Sequence, residues 1–348
     1  MKMIAKRIGT ALLLAVFILA PGLLFWIINY AFLSHPRMAE SSTPVILASE
    51  SSFRTIEKEL AAAGVILADG RFRILGRMMG VASHLKAGEY LFPPSISPYR
   101  VLIMVKEGAT YKHQVTIPEG ATLNHIATLL AAENLTTIEE FLRLAHDSAL
   151  LASLNIHGPS LEGYLFPDTY FFERGPKSTE TMIRIMSDQM QRVLIQTDAI
   201  NGLPQYGLDR HGVVTLASIV EKETALVQER SLIARVFLNR LAAGMKLQTD
   251  PTVIYGLANF SGNLTRQDLE SPSPYNTYRI RGLPPGPISS PGQQAITAVM
   301  HPAEESFYYF VSKNDGSHYF SSTLSDHNRA VLQYQTKTNP TNLKVRKQ

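Results

Sequence analysis

The chain has 348 residues, of which 45% are hydrophobic and 18% are charged. This composition fits two or three globular domains and excludes a disordered or low-complexity protein. There is no cysteine, which excludes disulfides, thiol nucleophiles and cysteine-bound metal sites. The net charge is +4, but Lys2, Lys6 and Arg7 supply most of it, so the rest of the chain is nearly neutral and no nucleic-acid partner is predicted.

An uncharged stretch follows this basic N-terminal end, from Ile8 to Leu33. Its roughly 26 residues exceed the approximately 20 that a helix needs to cross a bilayer. By the positive-inside rule, the N-terminus stays in the cytoplasm and everything after Leu33 is exported. A cleaved signal peptide is the alternative, but its apolar region is shorter and ends at a small-residue cleavage site. We therefore expect residues 1–34 to form a cytoplasmic end and a single transmembrane anchor.

Two related segments follow a Ser-rich linker, which we assign to residues 35–52. VILASESSFRTIEKELAAAGVILADGRF begins at Val45 and resembles VTIPEGATLNHIATLLAAENLTTIEEF, which begins at Val115. Each segment predicts a strand, an amphipathic helix that stops at Gly64 or Asn134, and a second short helix. The two segments therefore indicate an internal repeat.

The region between the two copies completes the predicted layout. A strand is expected within residues 85–92, and a helix or strand near residues 101–105. Two short strands that flank two short helices are the layout of a LysM-type carbohydrate-binding module, so residues 53–158 form a predicted LysM-like repeat region. A small scaffold without a ligand is the alternative, because the order of elements says little about a binding groove.

A larger α+β region is predicted over residues 159–336, before a polar tail over residues 337–348. Long helices are expected near residues 180–196 and 231–243. The fold class is therefore α+β: one N-terminal transmembrane helix, LysM-like modules, and a larger α+β catalytic domain.

The last part of this region carries three local signals. Asp250, directly before Pro251, is expected to cap the N-terminus of a helix. The segment SPSPYNTYRIRGLPPGPISSPG predicts a shaped loop with a rigid rim, because it is rich in proline and glycine. The segment FYYFVSKNDGSHYF predicts a hairpin that turns at residues 314–316.

Few kinds of catalytic chemistry fit the residue pattern. The ten histidines are scattered without an HExxH pair, so no metal site is predicted. The chain also lacks the GxSxG and SxxK signatures of serine hydrolases and the glycine-rich loops that bind phosphates. Carboxylates among aromatic, amide and hydroxyl groups remain, and they are the usual inventory for cutting a glycosidic bond without a cofactor.

The segment HGVVTLASIVEKETALVQER, residues 211–230, carries the strongest candidates. Its apolar run ends in the triplet Glu221, Lys222 and Glu223. A carboxyl that directly continues an apolar run is partly desolvated, which raises its pKa and favours the protonated form of a general acid. Periodicity does not choose between Glu221 and Glu223, and a plain helix end at the surface is the alternative.

Long motifs are distributed over the chain in a fixed order. They are EGYLFPDTY, LASIVEKET, LQTDPTVIYG, SPYNTY, GLPPGPI, HPA and YYFV. In order and approximate spacing they resemble those of the YceG-like family, the endolytic murein transglycosylases of the MltG type. The resemblance implies that Glu221, the first glutamate of the triplet, is the catalytic residue.

The resemblance also implies a reaction. One glutamic acid protonates the oxygen between MurNAc and GlcNAc, and its carboxylate then removes the proton from the C6 hydroxyl of MurNAc. That hydroxyl attacks C1 and closes a 1,6-anhydro ring, so neither metal nor water is needed. The implied enzyme is a lytic transglycosylase that cuts inside nascent peptidoglycan strands and ends their elongation. A water-using muramidase and a non-catalytic peptidoglycan-binding scaffold are the alternatives.

Six further residues are candidates for substrate binding. They are Gln248, Thr249, Asp250, Tyr275, Asn276 and Glu162. The first three are expected to bind sugar hydroxyls or N-acetyl groups, the tyrosine ring to cover a sugar face, and the asparagine amide to orient an N-acetyl group. The glutamate is expected to be a second cleft carboxylate. The alternatives are a helix cap for Asp250, a loop anchor for the YNTY motif, and a buried salt bridge or cap for Glu162.

The predicted partners and location follow from the anchor and the resemblance. Peptidoglycan glycan strands are the expected substrate, and the membrane is contacted through one helix. The resemblance adds peptidoglycan synthases, the penicillin-binding proteins, as possible neighbours. We expect the chain in the inner membrane, with its N-terminus in the cytoplasm and its catalytic domain in the periplasm.

Overall fold

A computed structural model describes residues 19–32, 44–49, 51–67, 69–81, 83–174 and 178–336 of the chain. These residues form two compact units. The first unit takes those up to His113 and those over 171–174, and the second takes Gln114–Tyr170 and those from 178 onward. The domain boundary predicted at residue 158 lies inside the second unit. The basic N-terminal end, most of the linker and the polar tail lie outside the described residues.

The first unit mixes short strands and helices. Its elements are α1 (residues 19–32), β1 (Val45–Leu47), α2 (Phe53–Ala62), α3 (Arg71–Met78), β2 (Gly88–Tyr90) and α4 (Pro98–Glu107). Strands β1 and β2 pair antiparallel, with Ile46 opposite Glu89. Leu60, Phe72 and Tyr90 lie fully buried in the core that these elements enclose. The order of β1, α2, α3 and β2 matches the predicted layout of two strands flanking two helices.

Helix α1 is the described part of the predicted anchor, whose residues 8–18 and Leu33 lie outside the described residues. Ile27 and Tyr30 are buried in the core of the first unit. The Arg71 guanidinium lies 4.4 Å from the centre of the Tyr30 ring. In the part of the chain that the structure describes, no helix is both long enough and apolar enough to cross a membrane.

The second unit contains most of the helices and also two short strand pairs. Strands β3 (His113–Thr116) and β4 (Thr169–Phe172) form a two-stranded sheet. The boundary between the units in the chain falls within each of these strands. The other elements are α5 (Leu123–Ala132), α6 (Ile138–Ala145), α7 (Ser148–Ser153), α8 (Ser178–Gln196), α9 (Arg210–Glu223), α10 (Val227–Ala242), α11 (Asp250–Gly256), α12 (Arg266–Leu269), α13 (Gln293–Met300), β5 (Tyr309–Ser312), β6 (His318–Ser321) and α14 (Leu324–Val331).

The stops predicted for the first helix of each repeat copy are present in the structure. Gly64 follows α2 with φ of 72°, and Asn134 follows α5 with φ of 52°. Glycine and asparagine adopt this left-handed conformation more readily than other residues, so both helices end there. The second copy therefore shows the expected order of strand, helix and helix in β3, α5 and α6.

Helix α9 is the buried centre of the second unit. It begins after Asp209, whose carboxylate accepts a hydrogen bond from the Gly212 N–H at 2.8 Å. Every residue from Gly212 to Val220 is buried, and α10, α11 and α13 pack against the helix. The helix ends at Glu223, because Thr224 has an extended backbone with φ of −145° and ψ of 138°. The polar triplet predicted from the sequence therefore stands at the C-terminal end of a buried helix.

The loop rich in proline and glycine is joined to α9 by hydrogen bonds. The Ile288 N–H donates to Ser218 Oγ at 3.0 Å, and Ser290 N–H donates to the carbonyl of Ala121 at 2.8 Å. The same loop packs on Gly163, which has φ of +80° and where a Cβ would lie 2.6 Å from Pro287 Cγ. These contacts fix the loop, as its composition predicts.

Replacing Gly163 by alanine tests this close approach. Any residue with a Cβ has to adopt the left-handed conformation there, which costs about 1–2 kcal/mol, and the new methyl also overlaps Pro287, which adds roughly 1–3 kcal/mol. Gly207→Ala is the control, since Gly207 has φ of +68° and no atom within 4 Å of its Cβ position. Urea unfolding should show Gly163→Ala to be the more destabilising change, and equal losses would contradict the predicted overlap.

Candidate active site

Two carboxylates stand at the C-terminal end of α9, and their surroundings differ. Glu221 has a side chain that is only 5% exposed. One of its oxygens accepts a hydrogen bond from Arg230 Nη2 at 2.8 Å, and the other accepts from the Gly292 N–H at 2.9 Å. Arg230 belongs to α10, and Gly292 is the residue before α13. Glu221 therefore links the end of α9 to two neighbouring helices.

Glu119 completes the group around Arg230. Its carboxylate lies 3.3 Å from Arg230 Nη2, and its side chain is 47% exposed. Burial raises the pKa of Glu221, whereas the Gly292 N–H and the Arg230 charge act in the opposite direction. Each oxygen of Glu221 therefore has one donor from within the protein.

Glu223 lies two residues further along, in the wall of a cavity of about 450 Å³. The Thr249 hydroxyl donates a hydrogen bond to one of its oxygens. Burial raises the pKa of Glu223 to about 7, and the nearby charge of Asp250 acts in the same direction. A carboxyl with this pKa is partly protonated at neutral pH, which suits a general acid.

Three of the predicted substrate-binding residues lie beside Glu223. Gln248 and Asp250 line the same cavity, and Thr249 contacts the Glu223 carboxyl directly. The structure corrects the predicted helix cap, because Thr249 rather than Asp250 is the residue before α11. Asp250 instead accepts a hydrogen bond from the Tyr278 hydroxyl at 2.6 Å.

Gln248 has an unusual backbone conformation for its residue type. Its φ is 52°, in the left-handed region that costs a residue with a Cβ about 1–2 kcal/mol. Its side chain is exposed at the cavity. Strained residues of this kind cluster at functional sites, so the conformation marks Gln248 as a candidate for substrate contact.

Asn276 is not among the residues that line this cavity. It is fully buried, and its amide nitrogen donates to the carbonyls of Leu269 and Ser271 at 2.9 and 2.8 Å. Its amide oxygen accepts from the Tyr278 N–H at 3.0 Å. Because the amide is fully used by the backbone, the structure supports the loop anchor rather than a contact to an N-acetyl group.

Glu162 and Tyr275 also lie outside the walls of the cavity that holds Glu223. Glu162 is 3% exposed and accepts from the Leu123 N–H at 3.2 Å and from the Tyr255 hydroxyl at 3.1 Å. The Tyr275 ring centre lies 4.8 Å from that of Tyr255. Burial raises the pKa of Glu162 to about 7. The contact with Leu123 caps α5, so the structure favours the cap over a second cleft carboxylate.

Several cavity residues were not predicted from the sequence. They are Arg240, Tyr278, Tyr309, His318 and His327. They come from α10, the YNTY segment, the hairpin and α14. Tyr278 and Tyr309 lie within the YNTY and YYFV motifs, but neither was a predicted site residue. The other three lie in none of the motifs. In the part of the chain that the structure describes, no cluster of three or more histidine or acidic side chains could hold a metal.

A larger open cleft of about 840 Å³ lies near Glu221, since its walls include Glu119, which contacts Arg230, and Gln293, which follows Gly292. Glu119, Phe166 and Asp168 line it together with Gln293 and Gln294. Glu221 is not among its lining residues. Of the two carboxylates at the end of α9, Glu223 lines the cavity of about 450 Å³, and Glu221 is bound by Arg230 and Gly292 beside the larger cleft.

The chain is similar to proteins of several bacteria. It is 33% identical over 312 residues to the endolytic murein transglycosylase of Bacillus subtilis (strain 168), covering 85% of this chain and 86% of that protein. It is 34% identical over 180 residues to the endolytic murein transglycosylase of Streptococcus pneumoniae serotype 2, where the match covers 50% of this chain and 32% of the relative.

The fold is also found in a crystal structure of a YceG-like protein from Listeria monocytogenes. The TM-score is 0.56 at 33% sequence identity, with 84% of this chain and 99% of that chain covered. The sequence model of the YceG-like family matches residues 45–333. The chain therefore belongs to the YceG-like family.

Proposed function

We propose that this chain is an endolytic murein transglycosylase, which cuts MurNAc–GlcNAc bonds inside peptidoglycan strands and leaves 1,6-anhydroMurNAc ends. Family membership and the names of the Bacillus and Streptococcus relatives support this activity. The observation that carries the proposal is the carboxyl of Glu223, which has a raised pKa and lies in a cavity lined by polar and aromatic side chains. Such a site suits general acid catalysis on a glycosidic bond.

In this proposal Glu223 is the general acid. It donates its proton to the oxygen that links the two sugars, and positive charge develops at C1 of MurNAc as that bond breaks. The C6 hydroxyl of the same sugar then attacks C1 and loses its proton to a base in the cavity. Gln248 and Asp250 line this cavity and are placed to bind sugar hydroxyls or N-acetyl groups.

Glu221, which the resemblance implies to be the catalytic residue, remains the competing candidate for the general acid. A general acid must present a proton to the substrate, but both Glu221 oxygens accept hydrogen bonds from within the protein. Its carboxyl is also buried against Arg230. The geometry therefore favours Glu223 as the acid and a structural role for Glu221.

One observation favours a water-using muramidase as a second candidate function. Asp250 lines the same cavity as Glu223, and enzymes that use water commonly employ a pair of carboxylates. Asp250 could activate a water molecule if its hydrogen bond from Tyr278 opened. The mass of the product separates the two functions, because an anhydro end is lighter than a reducing end by one water molecule.

The finer features expected from the sequence belong to the same proposal. We place the N-terminal stretch, which includes α1, in the inner membrane and the rest of the two described units in the periplasm. Exposed apolar side chains on α1, such as Leu19, Leu23 and Phe25, support an anchor there. We also propose that the LysM-like part binds glycan strands and that peptidoglycan synthases work beside the enzyme.

Paired glutamine variants at the end of α9 test the acid. Glu223→Gln keeps the shape of the side chain but cannot donate the proton, so anhydro product should fall by at least about a hundredfold. Burial disfavours the ionised Glu223 carboxyl of the wild type, so the melting temperature of Glu223→Gln at pH 8 should be equal to that of the wild type or higher. Anhydromuropeptides released from purified sacculi and thermal unfolding measure the two effects.

Glu221→Gln is the matched control, and the opposite pattern is expected. It removes one charge of a buried ion pair and leaves Arg230 poorly compensated, so the free energy of unfolding should fall by about 3–5 kcal/mol. The activity of the protein that remains folded should stay within a few-fold of the wild type. Loss of activity in Glu221→Gln alone, with folding intact, would return the acid to the position that the resemblance implies.

The raised pKa of Glu223 predicts the pH dependence. The acid acts in its protonated form, so kcat/KM should fall as pH rises through about 7. The hydrogen bond from Thr249 lowers this pKa, so Thr249→Val should move the fall to higher pH. The Thr249 side chain makes no capping hydrogen bond to α11, so valine should preserve the helix. A pH profile on soluble glycan chains measures the shift, and an unmoved profile would contradict the role of Glu223.

The anchor is tested by fractionating cells that produce the full chain. The uncharged stretch from Ile8 to Leu33 should keep the protein in the membrane fraction through high-salt and carbonate washes. A matched variant that lacks residues 8–24 should appear in the soluble fraction. If the full chain were soluble with a new N-terminus near residue 35, it would be a cleaved secreted protein instead.

A further inference from the structure

The cavity that holds Glu223 contains a second group able to move a proton. His318, the first residue of β6, lines this cavity. Its Nδ1 lies 2.6 Å from Glu229 Oε2, and its backbone N–H donates to Glu229 Oε1 at 2.9 Å. Glu229 is in the first turn of α10. One carboxylate thus holds both the ring and the backbone of His318.

This contact determines where the proton of the imidazole lies. A carboxylate only accepts hydrogen bonds, so Nδ1 carries the hydrogen and the lone pair of a neutral ring is on Nε2. Among the described residues, Nε2 makes no hydrogen bond. The Phe310 ring packs edge-on against the imidazole at 5.5 Å between centres and 89° between planes. The ring is therefore fixed, with one unused acceptor at a cavity wall.

We propose that His318, oriented by Glu229, is the base that accepts the proton of the MurNAc C6 hydroxyl. This inference rests on the proposed transglycosylase activity and assigns the base role to a different residue from the acid. A carboxylate that fixes Nδ1 and leaves Nε2 as the acceptor is the arrangement that makes histidine a general base in other enzymes.

Glu223 and His318 divide the two proton transfers of the reaction. Glu223 gives its proton to the bridging oxygen, which leaves with the electrons of the C1–O bond. A new bond forms between O6 and C1, and the O6 proton moves to Nε2 of His318. The products are an anhydro sugar, a free hydroxyl on the next sugar, a Glu223 carboxylate and an imidazolium. Solvent then takes the proton from the imidazolium and returns one to Glu223.

The charges around the cavity fit this transfer. An imidazolium at His318 is stabilised by Glu229 and by the carboxylate that Glu223 becomes, since the charges of His318 and Glu223 act on each other. Asp250 on α11 adds a third acidic group, while Arg240 on α10 opposes the positive charge. His327 on α14 and the hydroxyls of Tyr278 and Tyr309 complete the titratable groups at this wall.

Variants of the two residues and chemical rescue test the assignment in the full-length protein on soluble glycan chains. His318→Gln should lower kcat by about a hundredfold with little change in KM, because it removes proton transfer and not binding. Glu229→Gln should lower kcat by at least about tenfold, since the ring loses its orienting carboxylate. His125→Gln, exposed on α5, is the control and should leave activity unchanged.

Chemical rescue separates a base from a residue that only holds the hairpin. In the wild type and in His318→Gln alike, kcat/KM should fall above about pH 7 as Glu223 ionises. Added imidazole should restore part of the rate of His318→Ala, which a purely structural role would not allow.

The outcomes distinguish this inference from the proposed function. If Glu223→Gln is inactive while His318→Gln keeps the wild-type rate, His318 is not the base and Glu223 performs both steps. If His318→Gln loses activity, and imidazole does not rescue His318→Ala, the pair is structural and the inference is overturned. If Glu223→Gln remains active, the proposed acid itself is wrong.

Discussion

The buried ion pair between Glu221 and Arg230 determines how the end of α9 meets its neighbours. Arg230 lies on α10, and the other Glu221 oxygen holds the Gly292 N–H in front of α13. Two charges taken out of water are tolerated only where their partners and geometry are good. These contacts therefore hold three helices in one arrangement, and they fix the position of every side chain at the C-terminal end of α9.

The two glutamates differ because of helix geometry. With 3.6 residues per turn, side chains two positions apart point to nearly opposite sides of a helix. When Glu221 faces Arg230 and α13, Glu223 must face away from them, into the cavity that Gln248 and Asp250 line. The same anchoring of α9 holds Glu223 in place, and burial then raises the pKa of Glu223.

The cavity combines residues from distant parts of the chain. Thr249 contacts Glu223 across 26 residues of sequence, and His318 contacts Glu229 across 89. If one carboxyl performs both proton transfers, it has to act first as an acid and then as a base within one turnover. In the mechanism that we propose, Glu223 starts protonated and the fixed imidazole of His318 starts as the acceptor. Other enzymes divide acid and base roles in this way between two groups with different environments.

The sequence by itself predicted the local structure well. Periodicity and stop signals gave the helices α8 and α10, the hairpin, and the left-handed residues after α2 and α5, because these features depend on neighbouring residues. It also placed the polar triplet at the end of a buried helix. Only the tertiary structure gave Glu221 and Glu223 different surroundings, put Thr249 rather than Asp250 before α11, and brought His318 to the cavity. Those differences depend on which helix or strand packs against each side chain, and periodicity along one element carries no information about that.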